Sequence, residues 1–315
     1  MTHSVAVDFG GTNIRSAYFR ETEPSPENQV KIPTQAEFGP EHVIERLVSA
    51  IKEVMPKNAE GIRVGIGSPG PLDPNEGIIY KAPNLRGWTD VPLKARLEER
   101  LDCPVFLGND ANVAALGEWK FGAGKGASHL IYLTISTGIG GGVIIDNRLL
   151  LGARGLAGEL GHITLERDGA TCGCGQQGHI EALASGTAIA RKANESLRAG
   201  AQSSLRAIYE VDEAVTAKAI GEAARNSDQF ALALISEAGE LIGHLLADLA
   251  HTFNPQIFVL GGGVSQLGTL LFDPVKLSFE NHVMDPAYCE QVRIVPAALG
   301  DDAGLVGAMV LANQG

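Results

Sequence analysis

The chain has 315 residues, 44% of them hydrophobic and 20% charged, which is apolar surface enough for a packed core and length enough for about two domains. Its formal net charge of −12 speaks against broad electrostatic capture of nucleic acid or anionic membrane. Four cysteines are too few for a disulfide scaffold and fit a reduced cytoplasm. The start, MTHSVAVDFGG, has no basic segment followed by a long apolar core, so no secretory leader is expected, and no uninterrupted apolar run reads as long enough to span a bilayer.

In chain order, residues 5–8 read as an apolar strand ending in an acid. A glycine turn at Gly10 and Gly11 follows, then a second strand over 14–19. Residues 21–29 are polar and read as a loop. Over 40–55 the apolar residues Val43, Ile44, Leu47, Val48 and Ile51 recur at helical period. Strands are expected at 63–69 and 105–108, and a helix at 111–121. The pattern then restarts, with a strand at 129–135, the glycine run STGIGGG, and a strand at 143–146. Residues 187–252 read as mostly helical, with a polar interruption near 199–204. A strand at 257–260 runs into GGGVS; a last strand at 292–295 and a helix at 304–312 close the chain. Strands alternating with helices through both halves predict an α/β fold. The seam is placed near 116–122. That gives an N-terminal α/β domain over 1–118, a C-terminal one over 119–301 carrying the cysteine loop, and a closing helix near 302–315 that returns to the first.

Two glycine motifs are set aside. GIGSPG at 65–70 follows a strand but leads into Pro71 and Pro74 rather than a helix, so it does not read as a dinucleotide loop. GAGKGAS at 122–128 fits no phosphate-loop register and reads as a turn.

Three glycine loops sit at strand ends. In DFGGTN, Asp8 can hold a metal ion directly or through water, and Gly10 and Gly11 let backbone N–H groups approach a phosphate, with Thr12 and Asn13 adding polar groups. A hairpin with a turn-forming aspartate is the plain alternative. STGIGGG, with Thr137 and Gly138, offers the same chemistry again, and Gly261, Gly262 and Gly263 offer it a third time. Together they suggest a nucleotide held between two halves. NDAN at 109–112 precedes a helix: Asn109 and Asp110 suit helix capping, and Asp110 is also placed to accept the proton of a substrate hydroxyl.

The richest stretch is GELGHITLERDGATCGCGQQGHIE, residues 158–181. His162, Cys172, Cys174 and His179 form H-x9-C-x-C-x4-H, a ligand set for a closed tetrahedral Zn²⁺ site; a loop with two free thiols is the alternative. Glu159, His162 and Glu181 remain as acceptors for the hydroxyls of a bound sugar.

In this order, DFGGTN, NDANVAALGE, STGIGGG, GELGH, CGCGQQGHIEALASG and LGGGVS resemble the ROK family (repressors, open reading frames, sugar kinases), above all its bacterial ATP-dependent glucokinases. The resemblance implies a two-domain actin/hexokinase-like (ribonuclease H-like) fold with a central cleft, binding ATP–Mg²⁺ on one side and a hexose on the other. It implies that Asp110 is the catalytic base. Asn109, Asp110, Glu159, His162 and Glu181, with Asn84 of APNLRGW, would hold the sugar. Gly10, Gly11, Thr12, Asn13, Thr137 and Gly138 would face the ATP phosphates, Gly261, Gly262 and Gly263 would lie near the nucleotide, and Asp8 would serve Mg²⁺. In the family pattern C-x-C-G-x-x-G-C-x-E the third Cys is here His179, itself a normal zinc ligand. A homodimer is implied. N-acetylmannosamine, N-acetylglucosamine and fructose are alternative sugars, and polyphosphate an alternative donor. A sugar-responsive repressor is disfavoured, because the DFGGT segment starts at residue 8 and leaves no room ahead of it for a helix-turn-helix domain.

Overall fold

A computed structural model describes residues 3–20, 23–57, 60–82 and 85–314. The chain divides into two compact units. One comprises residues 1–127, 142–158 and 298–315; the other comprises 128–141 and 159–297.

The first unit is built on strands β1 (His3–Phe9), β2 (Asn13–Arg20) and β3 (Asn28–Pro33), helix α1 (Pro40–Val54), strands β4 (Ile62–Ser68), β5 (Leu72–Asp73), β6 (Ile78–Lys81) and β7 (Thr89–Val91), helix α2 (Leu93–Leu101), strand β8 (Val105–Asn109) and helix α3 (Asp110–Phe121). Its main sheet has the order β3-β2-β1-β4-β8. β1, β2 and β3 form an antiparallel meander, while β4 and β8 run parallel to β1. The apolar face of α1, including Val43, Ile44, Leu47 and Ile51, is buried against this sheet with Val5, Val7 and Phe9. β5, β6 and β7 form a small separate sheet.

The second sheet repeats the plan. Strands β9 (Leu130–Ile135), β10 (Ile139–Ile145) and β11 (Arg148–Leu149) are followed by helices α4 (Ile180–Ala184), α5 (Gly186–Arg198), α6 (Arg206–Asp212), α7 (Ala217–Arg225) and α8 (Gln229–Phe253). Then come β12 (Ile257–Gly261), α9 (Thr269–His282), β13 (Arg293–Pro296) and α10 (Ala303–Gln314). The order is β11-β10-β9-β12-β13, with β9, β12 and β13 parallel. Three meander strands and two parallel ones thus occur twice in the same order.

Helix α8 is 25 residues long with a mean hydropathy of 1.5 over its most apolar window, long and apolar enough to cross a membrane. Its Leu234, Ile235, Ile242, Leu245, Leu246 and Leu249 are buried, as befits a core helix. Glu237, Glu240 and Asp248 interrupt its apolar residues without preventing burial of the rest.

Candidate active site

In the first unit, functional side chains gather at the carboxyl ends of parallel strands, where open α/β sheets place their ligands. The register puts Asp8 of β1 beside Gly67 of β4, and Gly67 beside Gly108 of β8. Asp8 and the start of α3 therefore lie two strand spacings apart on one sheet edge, about 10 Å. The turn after β1 is closed by Gly10 N–H donating to the Asn13 carbonyl at 2.9 Å. Thr34, fully buried, braces that turn twice: its hydroxyl donates to the Gly10 carbonyl at 2.6 Å, and its N–H to the Thr12 carbonyl at 2.8 Å. The plain hairpin reading of DFGGTN is thus present, and its backbone is held rigid.

Asp8 is half-buried, and its carboxyl lies above the ordinary range. Burial is the main cause and Asp301 adds to it; Arg15 and Lys31 pull the other way. Asn109 is the N-cap of α3: its Oδ1 accepts the N–H groups of Ala111 at 3.0 Å and Asn112 at 3.3 Å. That leaves its amide nitrogen directed at the Gly70 carbonyl, 3.5 Å away. Asp110, the first residue of α3, is solvent-exposed, and its Oδ1 also accepts the Ala111 N–H at 2.8 Å.

In the second unit, the Ser136–Thr137–Gly138 turn after β9 is tied to the start of α5. Gly186 N–H donates to the Ser136 carbonyl at 2.8 Å and Thr187 N–H to the Thr137 carbonyl at 3.3 Å. Gly138 packs so closely on Glu181 that a Cβ there would fall 2.3 Å from its Oε2. After β12, Gly262 has φ +84, and a Cβ would fall 2.4 Å from the Ile135 carbonyl oxygen. Gly262 demands glycine on both counts, whereas a side chain at Gly138 would displace the Glu181 carboxylate. Thr137 and Gly263 open onto a cavity of about 620 Å³, a nucleoside-compatible size. Its lining also includes Thr187, Lys218, Glu222 and Arg225.

His162, Cys172, Cys174 and His179 converge, with their ligand atoms all within 4.8 Å of one another. His162 Nδ1 lies 3.2 Å from His179 Nδ1 and 3.7 Å from Cys172 Sγ, and Cys174 Sγ lies 3.3 Å from His179 Nδ1. A tetrahedron with zinc–ligand bonds of about 2.0–2.3 Å has edges of roughly 3.3–3.8 Å, so the quartet fits Zn²⁺. Burial pushes the Cys172 thiol up to about 11; the Cys174 and Glu181 side chains add to this and a backbone hydrogen bond from Cys174 opposes it, and a bound metal ion would supply the positive charge such a sulfur needs to ionise. Glu181 borders the quartet. Its Oε1 faces Cys172 Sγ at 3.4 Å and its Oε2 accepts the Ile139 N–H at 3.0 Å. Glu159 is accessible to solvent, yet the crowding protein raises its carboxyl, with Glu181 adding to this and His162 opposing it.

The structure thus groups Asp8, the 10–13 turn, Asn109 and Asp110 in one unit. It groups Glu159, His162, Glu181, the zinc-type quartet and the two remaining glycine loops in the other. Asn84 lies outside the described residues. Sequence reading missed Thr34, the 185–187 start of α5 and the α7 wall of the cavity. Nothing in the sequence marked the first, since the strand Asn28–Pro33 that precedes Thr34 is itself absent from the sequence expectations.

Two sheets of the same strand order, each carrying a glycine loop at its parallel strand ends, define an α/β protein of the actin and hexokinase class. Within that class the chain belongs to the ROK family, whose model matches residues 4–315. It is 39% identical to the glucokinase of Halalkalibacterium halodurans, over 98% of this chain and 94% of that one. It is 39% identical to the glucokinase of Thermotoga maritima, over 98% and 97%. Among solved structures, it superposes with a TM-score of 0.85 on a ROK family glucokinase from Streptomyces griseus in complex with glucose and AMPPNP, at 37% identity over 99% of this chain and 100% of that one.

Proposed function

We propose that this protein is an ATP-dependent hexose kinase that phosphorylates the 6-hydroxyl of glucose, with Asp110 as catalytic base. The observation that carries the reading is the placement of Asp110. It is an exposed carboxylate at the first position of a capped helix, on the same sheet edge as Asp8 and the braced glycine turn. The glucokinase relatives, and the glucose and AMPPNP bound by the Streptomyces griseus enzyme, support the same substrates here.

In this mechanism Asp110 orients the sugar hydroxyl and takes its proton as the hydroxyl oxygen bonds the γ-phosphorus of ATP and the bond from that phosphorus to the departing ADP breaks. Backbone N–H groups of residues 10–13 and of Thr137 and Gly138 receive phosphate oxygens, with Gly261–Gly263 near the nucleotide. Asp8 would hold the Mg²⁺ that neutralises phosphate charge. The transition state is loose, so positioning and electrostatics supply most of the rate. Asn109, Glu159, His162 and Glu181 hold the sugar hydroxyls. Bound Zn²⁺ would act as a structural cross-link through His162, Cys172, Cys174 and His179. This leaves the second ring nitrogen of His162 for the sugar. We place the enzyme in the cytoplasm as a homodimer.

The test is ADP release against a hexose panel with ATP–Mg²⁺, on protein quantified for zinc. Glucose should give the highest kcat/KM; a preference for an N-acetylhexosamine or fructose would replace the sugar assignment, and turnover with polyphosphate alone the donor. Asp110→Asn should cut kcat by about 10²–10⁴-fold with glucose still bound. Near-wild-type turnover by that variant would remove Asp110 from the chemistry.

A further inference from the structure

Glu118 is fully buried, near the end of α3, and plays no part in the mechanism above. A carboxylate in the last turn of a helix opposes the helix dipole, and a buried charge is costly unless compensated. Among the described residues it has no cationic partner in an ion pair. Three backbone N–H groups compensate it instead. Oε2 accepts from Ala123 at 2.9 Å and from Ala298 at 3.1 Å, and Oε1 accepts from Leu299 at 2.7 Å.

These donors come from two distant parts of the chain. Ala123 lies in the turn leaving α3; Ala298 and Leu299 lie where the chain re-enters the first unit, at residue 298. The neighbouring Trp119 fixes the exit, since its indole N–H donates to the carbonyl of Ala127, the last residue before the chain leaves. Leu299 runs straight into the turn Gly300–Asp302, where Arg15 bonds the Asp301 carbonyl and the Asp302 carboxylate. Arg15, Asp301 and Asp302 share one concavity with Asp8.

We infer that Glu118 is a positioning residue: one buried carboxylate locks the end of the helix that carries Asp110 to the segment that carries the acidic turn beside Asp8. It thereby fixes the distance between base and metal-side acid. Asp110 sits eight residues ahead of Glu118 on the same helix, about 12 Å along its axis. Slack at the clasp therefore moves the base relative to Asp8 without touching either. The inference rests on the kinase reading for its effect on turnover, but the clasp itself does not.

The test is Glu118→Gln, which keeps the shape but turns an amide NH₂ toward N–H donors, with Glu118→Asp, which keeps the charge one methylene short. Two readouts are needed: steady-state kinetics on the best hexose, and amide hydrogen exchange. Expected is a fall in kcat of tenfold or more with both KM values within twofold of wild type. Exchange should quicken at Ala123, Ala298 and Leu299 while the amides of β9 and β12 stay as they were, and Glu118→Asp should recover part of kcat. Faster local exchange with unchanged kcat would make Glu118 a mere brace and overturn the inference, as would unchanged exchange or loss of protection throughout the chain in both variants. If the wild-type chain phosphorylates no hexose, the kinase reading falls, and the exchange data alone decide the clasp.

Discussion

Glu181 links two loops of the second unit: its Oε2 accepts the Ile139 N–H at 3.0 Å while its Oε1 meets the Cys172 thiol at 3.4 Å. A residue read only as a sugar ligand therefore also sets the glycine turn at Thr137–Gly138. Glu181→Ala strands the Ile139 N–H, a loss of about 1–3 kcal/mol. The expected result is a rise in KM for ATP of roughly tenfold, beside that for glucose. An ATP KM at the wild-type value would show that the turn holds its shape without this carboxylate.

Thr34 tests the other glycine turn. Thr34→Val keeps the volume but removes the hydroxyl that donates to the Gly10 carbonyl. With an acceptor left unpaired, stability should fall by about 1–3 kcal/mol, read as a lower urea midpoint. KM for ATP should rise while KM for glucose stays within twofold, because no expected sugar ligand borders the turn. A selective loss of glucose affinity would contradict that separation.

The contrast between these residues shows what was legible beforehand. The strand–turn–strand at 3–20, the Asn109 cap and the four zinc-type ligands are local features. Spacing alone exposes them, because the atoms that make the structure are sequence neighbours. Thr34 meets Gly10 only through the β2–β3 register, and Glu118 meets Leu299 across 181 residues. Neither partner can be inferred from one-dimensional spacing. The α7 wall of the cavity carries no motif at all, since Lys218, Glu222 and Arg225 look like any solvated helix face until α7 is folded beside Gly263.

The departure from the family's cysteine pattern gives a metal prediction. His179 Nδ1 lies at tetrahedral-edge distances from both His162 and Cys174. One zinc per chain is expected by elemental analysis. Cys174→Ser should release it and lower the Tm, whereas His179→Cys should retain it, because thiolate and imidazole are both zinc ligands. Full zinc retention by His179→Ala would show that His179 is not a ligand.

Asp228 gives the pH dependence. It caps α8, its Oδ1 accepting the Ala231 N–H at 2.9 Å, and its Oδ2 gathers the Ser204 N–H at 2.7 Å and the hydroxyls of Ser203 and Ser204. Partial burial works to raise its pKa, but the N–H groups of Ala231 and Ser204 and the two hydroxyls outweigh it and bring the group from 3.8 down to about 2. A depressed carboxyl stabilises the fold fully above its unfolded value and loses that contribution as pH falls toward the folded value. Asp228→Ala should therefore cost about 1–2 kcal/mol in urea unfolding at pH 7. The gap between the two proteins should hold down to about pH 4 and narrow steadily toward pH 2, where the wild-type carboxyl protonates and the cap weakens. A gap independent of pH would mean that the ionised form adds nothing over the neutral acid, and that the polar turn at 203–204 is held by other contacts.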